Sequence, residues 1–450
     1  MNKAKFLSMS MAVVLCGTAL TACGSSNSDK EASSSPSETK SGTSASAAPS
    51  ASTAPSADAN ANVKGKITFI TNRTDLVNDG TFEKYKKAFI QKYPNVTDVE
   101  FEGITNYESD IRVRLNAGEV GDVVLIPGNI ANADMGNFFE PVNDLADSLG
   151  DIYFHDFKAN EGKVYGIVAG VNTEGLVYNK TAFAKAGIAA PPKTLDELYA
   201  DCEKLKAVGI TPMYINMGAQ WPMKQWGEVL VPFMSGNAKY LDTMLETDEP
   251  FKVDNEFGKG FSIVRTLIQK GYVEKDLNTN VWEASKPDVA TGKAGMYFLG
   301  NWVINQLIGA GGKSEDIGFS PFPYDNSGKL NAPLNPDWFY AISKNSKNKD
   351  TAKAWIKFLV EDAGYVESSG FIPPQKSKKS DLPQISEFMA AGANMIESVP
   401  TSSKWNEVGN LAQIDFYGGK YIQTVAVAKD LKGELDKLNA KWKKARASAK

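Results

Sequence analysis

The sequence predicts an α/β protein of two moderate-sized domains, and three observations carry that expectation. Strand-like and helix-like stretches alternate from about residue 66 onward. The roughly 390 residues left after a polar N-terminal stretch exceed one ordinary core. A hydrophobic content of 42% suits a soluble globular chain.

The elements follow in order. Ile67-Thr68-Phe69-Ile70 reads as a strand, then a polar loop runs from Thr71 to Asn78. A helix is expected from about Thr81 to Tyr93, because Phe82, Tyr85 and Phe89 share one face and Pro94 stops it. Val99-Glu100-Phe101 is a second strand, Tyr107 to Ala117 a helix closed by Gly118, and Val123 to Ile126 a buried third strand. This βαβαβ pattern implies a parallel sheet with ligands beyond the carboxyl ends of the strands, at Thr71–Asp75, Gly103–Asn106 and Pro127–Asn129. Gly175 to Tyr178 is a further strand. Thr194 followed by Glu197 forms a capping box that starts a helix to about Ala207, before an extended segment from Ile210 to Ile215. Helices are also expected at Phe257–Lys270, Lys349–Asp362 and Tyr421–Lys444.

The N-terminus is of another kind. Lys3 and Lys5 precede an apolar run from Phe6 to Leu15, which closes on Leu20-Thr21-Ala22-Cys23. That pattern resembles a bacterial lipobox: residues 1–22 form a signal peptide, and Cys23 becomes the lipid-bearing first residue of the mature chain. The apolar run is short for a bilayer span of ~20 residues. Residues 23–65 are mostly Ser, Ala, Thr, Pro and Asn without an aromatic residue, so they read as a flexible stalk. At ~5–6 Å × √n its reach is about 35 Å. The expected location is the extracellular face of the cell membrane, or the periplasm if an outer membrane is present.

Composition excludes several classes. Lys+Arg total 49 against 53 Asp+Glu, so the excess basic surface of a nucleic-acid binder is missing. Once Cys16 leaves with the signal and Cys23 is acylated, Cys202 has no disulfide partner. His155 is the sole histidine, which removes two-histidine metal sites and makes any histidine-based triad depend on one loop residue. No metal, cofactor or catalytic residue is expected, and no Gly-X-Ser-X-Gly elbow, His-Glu-X-X-His pair or phosphate loop is present.

A series of motifs then carries a resemblance. Tyr93-Pro94-Asn95, Asn116-Ala117-Gly118 through Val124, Gly162 to Ile167, Val177-Tyr178-Asn179-Lys180 and Ala186 through Leu198 occur in order. Lys206 to Pro212, Thr291 to Met296, Gly300-Asn301-Trp302 and Ile342-Ser343-Lys344 continue it. Together they resemble the family 1 extracellular solute-binding proteins of ABC importers, the group with the maltose- and multiple-sugar-binding proteins. The resemblance spans Lys66 to the C-terminus. It implies a two-domain clamp of the periplasmic-binding-protein type (class II), each domain a mainly parallel sheet flanked by helices, joined by crossing hinge segments and closing over a ligand. By analogy the crossings lie near Val168–Leu176, Ile317–Phe322 and Ile342–Lys347. Domain one would then take 66–171 plus 318–343, and domain two 172–317 plus 344–450.

The resemblance further implies a monomer that captures a sugar and meets the membrane permease of an ABC importer. Sugars offer apolar C–H faces and a rim of hydroxyls, so aromatic platforms and planar polar groups are the side chains to seek. Trp302 matches the family's Gly-X-Trp motif and is the first choice as platform. Trp405 lies where members often carry a second cleft aromatic, Trp338 sits in an Asn-Pro-Asp-Trp loop, and Trp221 in a loop that could face the ligand. Trp355 and Trp442 fit helix faces and read as packing residues. Glu174 falls at the first crossing, where relatives can place a ligand-contacting carboxylate. Asn72, Arg73 and Asp75 lie in the first strand-to-helix loop, and Asn129 in the equivalent place after the third strand. Ile126-Pro127-Gly128-Asn129 lacks the aromatic and the acid that the maltose-binding members carry there, which argues against maltose itself. Two other classes stay open: a lipoprotein presenting its ligand to a membrane sensor, and a surface glycosidase using a carboxylate pair.

Overall fold

A computed structural model describes residues 60–104 and 107–449; the signal, Cys23, residues 24–59 of the stalk, Thr105, Asn106 and Lys450 lie outside the described residues. The end expected for the stalk at residue 65 is a correction, since Val63 is buried in the core and Gly65 opens the first strand. The strands, in chain order, are β1 Gly65–Thr71, β2 Val96–Gly103, β3 Val123–Leu125, β4 Ala159–Asn160, β5 Lys163–Val164, β6 Ile167–Val168, β7 Val171–Asn172 and β8 Glu174–Asn179. They continue with β9 Thr211–Tyr214, β10 Ala294–Gly300, β11 Ile317–Ser320, β12 Asn331–Pro336, β13 Phe339–Ile342 and β14 Asn394–Glu397.

Two main sheets organise two lobes. The first has the order β2-β1-β3-β13-β6, the second β11-β8-β10-β9. Both are mixed, which corrects the expectation of mainly parallel sheets. β1 pairs parallel with β2 and β3, whereas β13 returns antiparallel to β3 and β6. In the second sheet β8 runs antiparallel to both β10 and β11, and only β9 and β10 are parallel. The antiparallel strands re-enter each sheet from the other lobe, so no crossover helix fixes their direction.

A short three-stranded sheet, β14-β12-β7, carries two passages between the lobes. A third passage lies around Ile372, which bridges Val171. The second and third crossings therefore fall later than 317–322 and 342–347. Residues 317–320 pair with β8 and belong to the second lobe. Helix Lys349–Glu361 stays on the first lobe because Trp355, fully buried, packs edge-on against Phe69 and Phe89, and tilted 5.8 Å from Phe101. The boundary expected at 343/344 thus cuts through the first lobe's own core.

Local signals hold where the chain's neighbours in sequence decide the structure. Helix Leu195–Ala207 starts at Thr194, whose Oγ1 accepts from the Glu197 amide at 3.2 Å, while Glu197 Oε2 accepts from the Lys193 amide at 2.6 Å. The expected helix Tyr421–Lys444 is instead two, Lys420–Val427 and Leu431–Ser448. The buried Arg265 guanidinium donates to the Val425 carbonyl at 2.5 Å and the Ala426 carbonyl at 3.4 Å, taking acceptors that a continuous helix would use.

Candidate functional site

The lobe-crossing strands bring together polar groups distant in sequence. Asn335, at the end of β12, faces Asn172 of β7 across an antiparallel register. Its Nδ2 donates to Glu174 Oε2 at 2.8 Å, and Asn172 Nδ2 donates to Asp337 Oδ1 at 3.0 Å. Burial pushes the Glu174 carboxyl up to about 7, against the pull of Lys224 and Asn335. It raises Asp337 as well. Asn172 Oδ1 is buried without a partner, an acceptor left over once the protein's own bonds are made.

Each lobe adds a wall. On the first, Glu108 stands one residue into helix Tyr107–Ala117, and both its carboxylate oxygens accept from the Gly128 amide at 3.0 Å. Burial raises it. Beside Gly128, Asn129 Oδ1 is buried without a partner. On the second lobe, the turn Trp221–Trp226 supplies Lys224, whose positive charge partly offsets the effect of burial on Glu108, Glu174, Glu228 and Asp337. Glu228 accepts from Tyr421 at Oε1, while its Oε2 is shut from solvent with no partner. Burial pushes Glu228 up to about 8. The walls meet where a Cβ on Gly128 would stand 3.0 Å from the Tyr417 ring, so a side chain there would press the lobes apart.

Three half-buried tryptophans form the aromatic side of this region. Trp302 lies 5.6 Å from Trp221 and 5.9 Å from Trp282, and the latter two rings meet edge-on at 5.1 Å. The seat of Trp302 requires Gly300, since a Cβ there would sit 2.5 Å from the indole nitrogen. Asn301 fixes the strand end: its Oδ1 accepts from the Thr173 amide at 2.7 Å and its Nδ2 donates to the Gly370 carbonyl at 2.6 Å.

The sequence-selected residues divide accordingly. Trp302, Trp221, Glu174 and Asn129 lie on this constellation. Trp338 packs its indole edge-on to Tyr107 at 5.3 Å, directly after Asp337. Arg73 pairs with Asp75 through two bonds of 2.8 and 2.7 Å and donates to Ser369 Oγ at 2.9 Å, which spends much of both side chains inside the first lobe. Asn72 uses its backbone carbonyl to accept from Thr74 at the start of that loop. Trp405 is a correction: it is 1% exposed, 4.6 Å from Phe416, with its indole nitrogen 3.3 Å from the Met244 sulfur. No ring face is left for a ligand, because its position on helix Ser403–Ala412 points it into the second core. Sequence reasoning missed Glu108, Asn172, Lys224, Glu228, Trp282, Asn335 and Asp337. Glu108 could have been found by extending the strand-end rule one residue into the following helix; for Glu228 and Lys224 no local signal exists.

This arrangement of two lobes, three passages and a polar floor between aromatic and acidic walls is that of a binding clamp. The profile of the bacterial extracellular solute-binding protein family matches residues 74–366. The chain belongs to that family. An ABC-transporter extracellular-binding protein from Pyrococcus horikoshii is 26% identical over 67% of this chain and 69% of its own length. The multiple sugar-binding protein of Streptococcus mutans is 24% identical over 62% of this chain and 68% of its own. Among solved structures, a Bifidobacterium animalis subsp. lactis ABC-transporter binding protein in complex with mannobiose is 28% identical, with a TM-score of 0.77, covering 86% of this chain and 96% of that one. A manno-oligosaccharide-specific binding protein from the same organism, holding mannotriose, matches at 26% identity and the same TM-score and coverage. Members of the extracellular solute-binding family bind solutes outside the cell, and no described helix here is long and apolar enough to cross a membrane.

Proposed function

We propose that this solute-binding protein captures a short oligosaccharide between its lobes, without turnover, and delivers it to the membrane permease of an ABC importer while tethered through a lipid on Cys23. The observation that carries the reading is the floor of Asn172, Glu174, Asn335 and Asp337 beside the Trp221–Trp282–Trp302 group. Planar amides and carboxylates suit a rim of hydroxyls, and indole faces suit sugar C–H surfaces. Mannose-based di- and trisaccharides are the first ligands to test, given the mannobiose- and mannotriose-bound relatives.

The test is calorimetric titration of the mature protein with mannobiose, mannotriose, raffinose and maltose, paired with uptake by cells lacking it. Saturable one-to-one binding of at least one oligosaccharide, with lost uptake of the same sugar, supports the reading. Binding without an uptake defect removes the importer role, and glycan cleavage abolished by one carboxylate substitution removes the binding-only role.

A further inference from the structure

We propose that Asn305 is a positioning residue for Trp302: together with Asn301 it clasps the turn at residues 367–370 and so fastens the aromatic wall, which the second lobe carries, to the first lobe. The inference rests on the proposed function and deepens it.

The turn ends a short helix and leaves carbonyls over. Helix Tyr365–Ser368 closes through Gly370, whose φ of 73° lets its amide donate to the Glu367 carbonyl and the Phe371 amide to the Val366 carbonyl, each at 3.0 Å. The helix end still offers acceptors beyond these two bonds. The second lobe supplies the donors. Asn305 Nδ2 donates to the Glu367 and Ser368 carbonyls at 3.0 Å each, and Asn301 Nδ2 to the Gly370 carbonyl at 2.6 Å. A Cβ on Gly370 would stand 3.3 Å from the Asn301 carbonyl oxygen and 3.5 Å from Asn305 Nδ2, so the two backbones need a glycine to come this close.

The same turn is tied to the first lobe. Arg73, held by Asp75, donates to Ser369 Oγ at 2.9 Å, and the Tyr85 and Ser368 hydroxyls share a hydrogen bond of 3.0 Å. Side chains of both lobes therefore meet on one backbone turn, directly before the passage through Ile372. Trp302 is bracketed by the two asparagines: it stands between Asn301 and helix Val303–Gly309, whose first turn carries Asn305. Its ring partners, Trp221 and Trp282, belong to the second lobe, whereas the clasp fixes its backbone against the first. A cavity of about 260 Å³ lined by Asn305, Ile308, Glu367, Phe371 and Leu382 lies beside the clasp, so hydrogen bonds rather than close packing hold Asn305 there. An aromatic platform serves a ligand only at the right distance and tilt, and slack in its support loses contact.

The experiment compares the mature protein with Asn305→Ala, Trp302→Ala and the double variant, each titrated with mannotriose. Asn305→Ala should weaken binding about fivefold, but by less than about twofold once Trp302 is already alanine, the coupling expected of residues that act through one another. Asn305→Asp keeps the side-chain shape, turns an acceptor toward the carbonyls and should reproduce the loss. Wild-type affinity in both Asn305 variants overturns the proposal. An equal fold-loss with and without Trp302 also overturns it, because that marks a direct ligand contact or a general loosening. The ligand-free proteins give an independent reading. Three indoles 5.1–5.9 Å apart couple their transitions in near-ultraviolet circular dichroism, and Trp302→Ala defines the share of that signal that depends on Trp302. The Asn305 variants should lose part of the same share while thermal unfolding shows them folded. Spectra identical to wild type overturn the positioning role even if wild type binds no saccharide at all, which by itself would sink only the proposed ligand class.

Discussion

Replacing Trp302 with alanine tests the aromatic wall most directly. The indole is half-buried and touches two other rings, Trp221 at 5.6 Å and Trp282 at 5.9 Å. Aromatic pairs contribute ~0.5–1.5 kcal/mol each beyond their area, so losing both contacts should cost the ligand-free protein about 1–3 kcal/mol. Truncating a dominant aromatic contact typically costs binding at least ~2 kcal/mol, roughly thirtyfold in Kd. Trp405→Ala is the contrasting perturbation. That side chain is buried in the second core, so its removal should leave a cavity and cost ~3–5 kcal/mol of stability. Affinity of whatever remains folded should stay near wild type. Calorimetric titration with mannotriose and denaturant unfolding of both variants give the two numbers for each. A well-folded Trp302→Ala protein with wild-type affinity refutes the platform argument, as does a selective affinity loss in Trp405→Ala.

Three further outcomes are expected. Glu174 titrates near 7 when folded against 4.5 when free, so the native state holds the extra proton between those values and its stability contribution is lost as pH rises through about 7. Glu174→Gln should therefore gain on wild type by on the order of 3 kcal/mol between pH 4.5 and pH 8 in denaturant unfolding, and a gap independent of pH would count against burial as the cause. Ligand that bridges both walls favours the closed arrangement, so small-angle scattering should report a smaller radius of gyration with bound saccharide; identical curves at saturation argue against hinge closure. Cys23→Ser should release the folded protein from membranes into the medium or periplasm, since two acyl chains anchor where none can form; unchanged membrane retention in cell fractionation would remove the lipid anchor.

Some of this molecule was legible in its sequence because short-range physics decides it. The first three strands and two helices of the first lobe, the Thr194 cap and the helix beginning at Lys349 follow from apolar periodicity and from neighbours within four residues. The Gly300-Asn301-Trp302 motif is legible only in part: the missing Cβ of Gly300 clears the Trp302 indole two residues on, whereas the side-chain bonds of Asn301 reach Thr173 and Gly370, far away in sequence. Tertiary structure alone decided the rest. Glu174 meets Asn335 across 161 residues, and Asn172 meets Asp337 across 165, so no periodicity could register either pair. Trp302 and Trp405 both stand in helical or near-helical settings and look alike in sequence, yet one keeps an exposed edge and the other is enclosed by Phe416 and Met244. The lobe that owns helix Lys349–Glu361 was settled by Trp355 packing on β1, a long-range contact, where the alternation of elements leaves both lobes equally open. The acidic wall was invisible for the same reason: among 53 acidic residues, only burial and a common lysine distinguish Glu108, Glu174, Glu228 and Asp337.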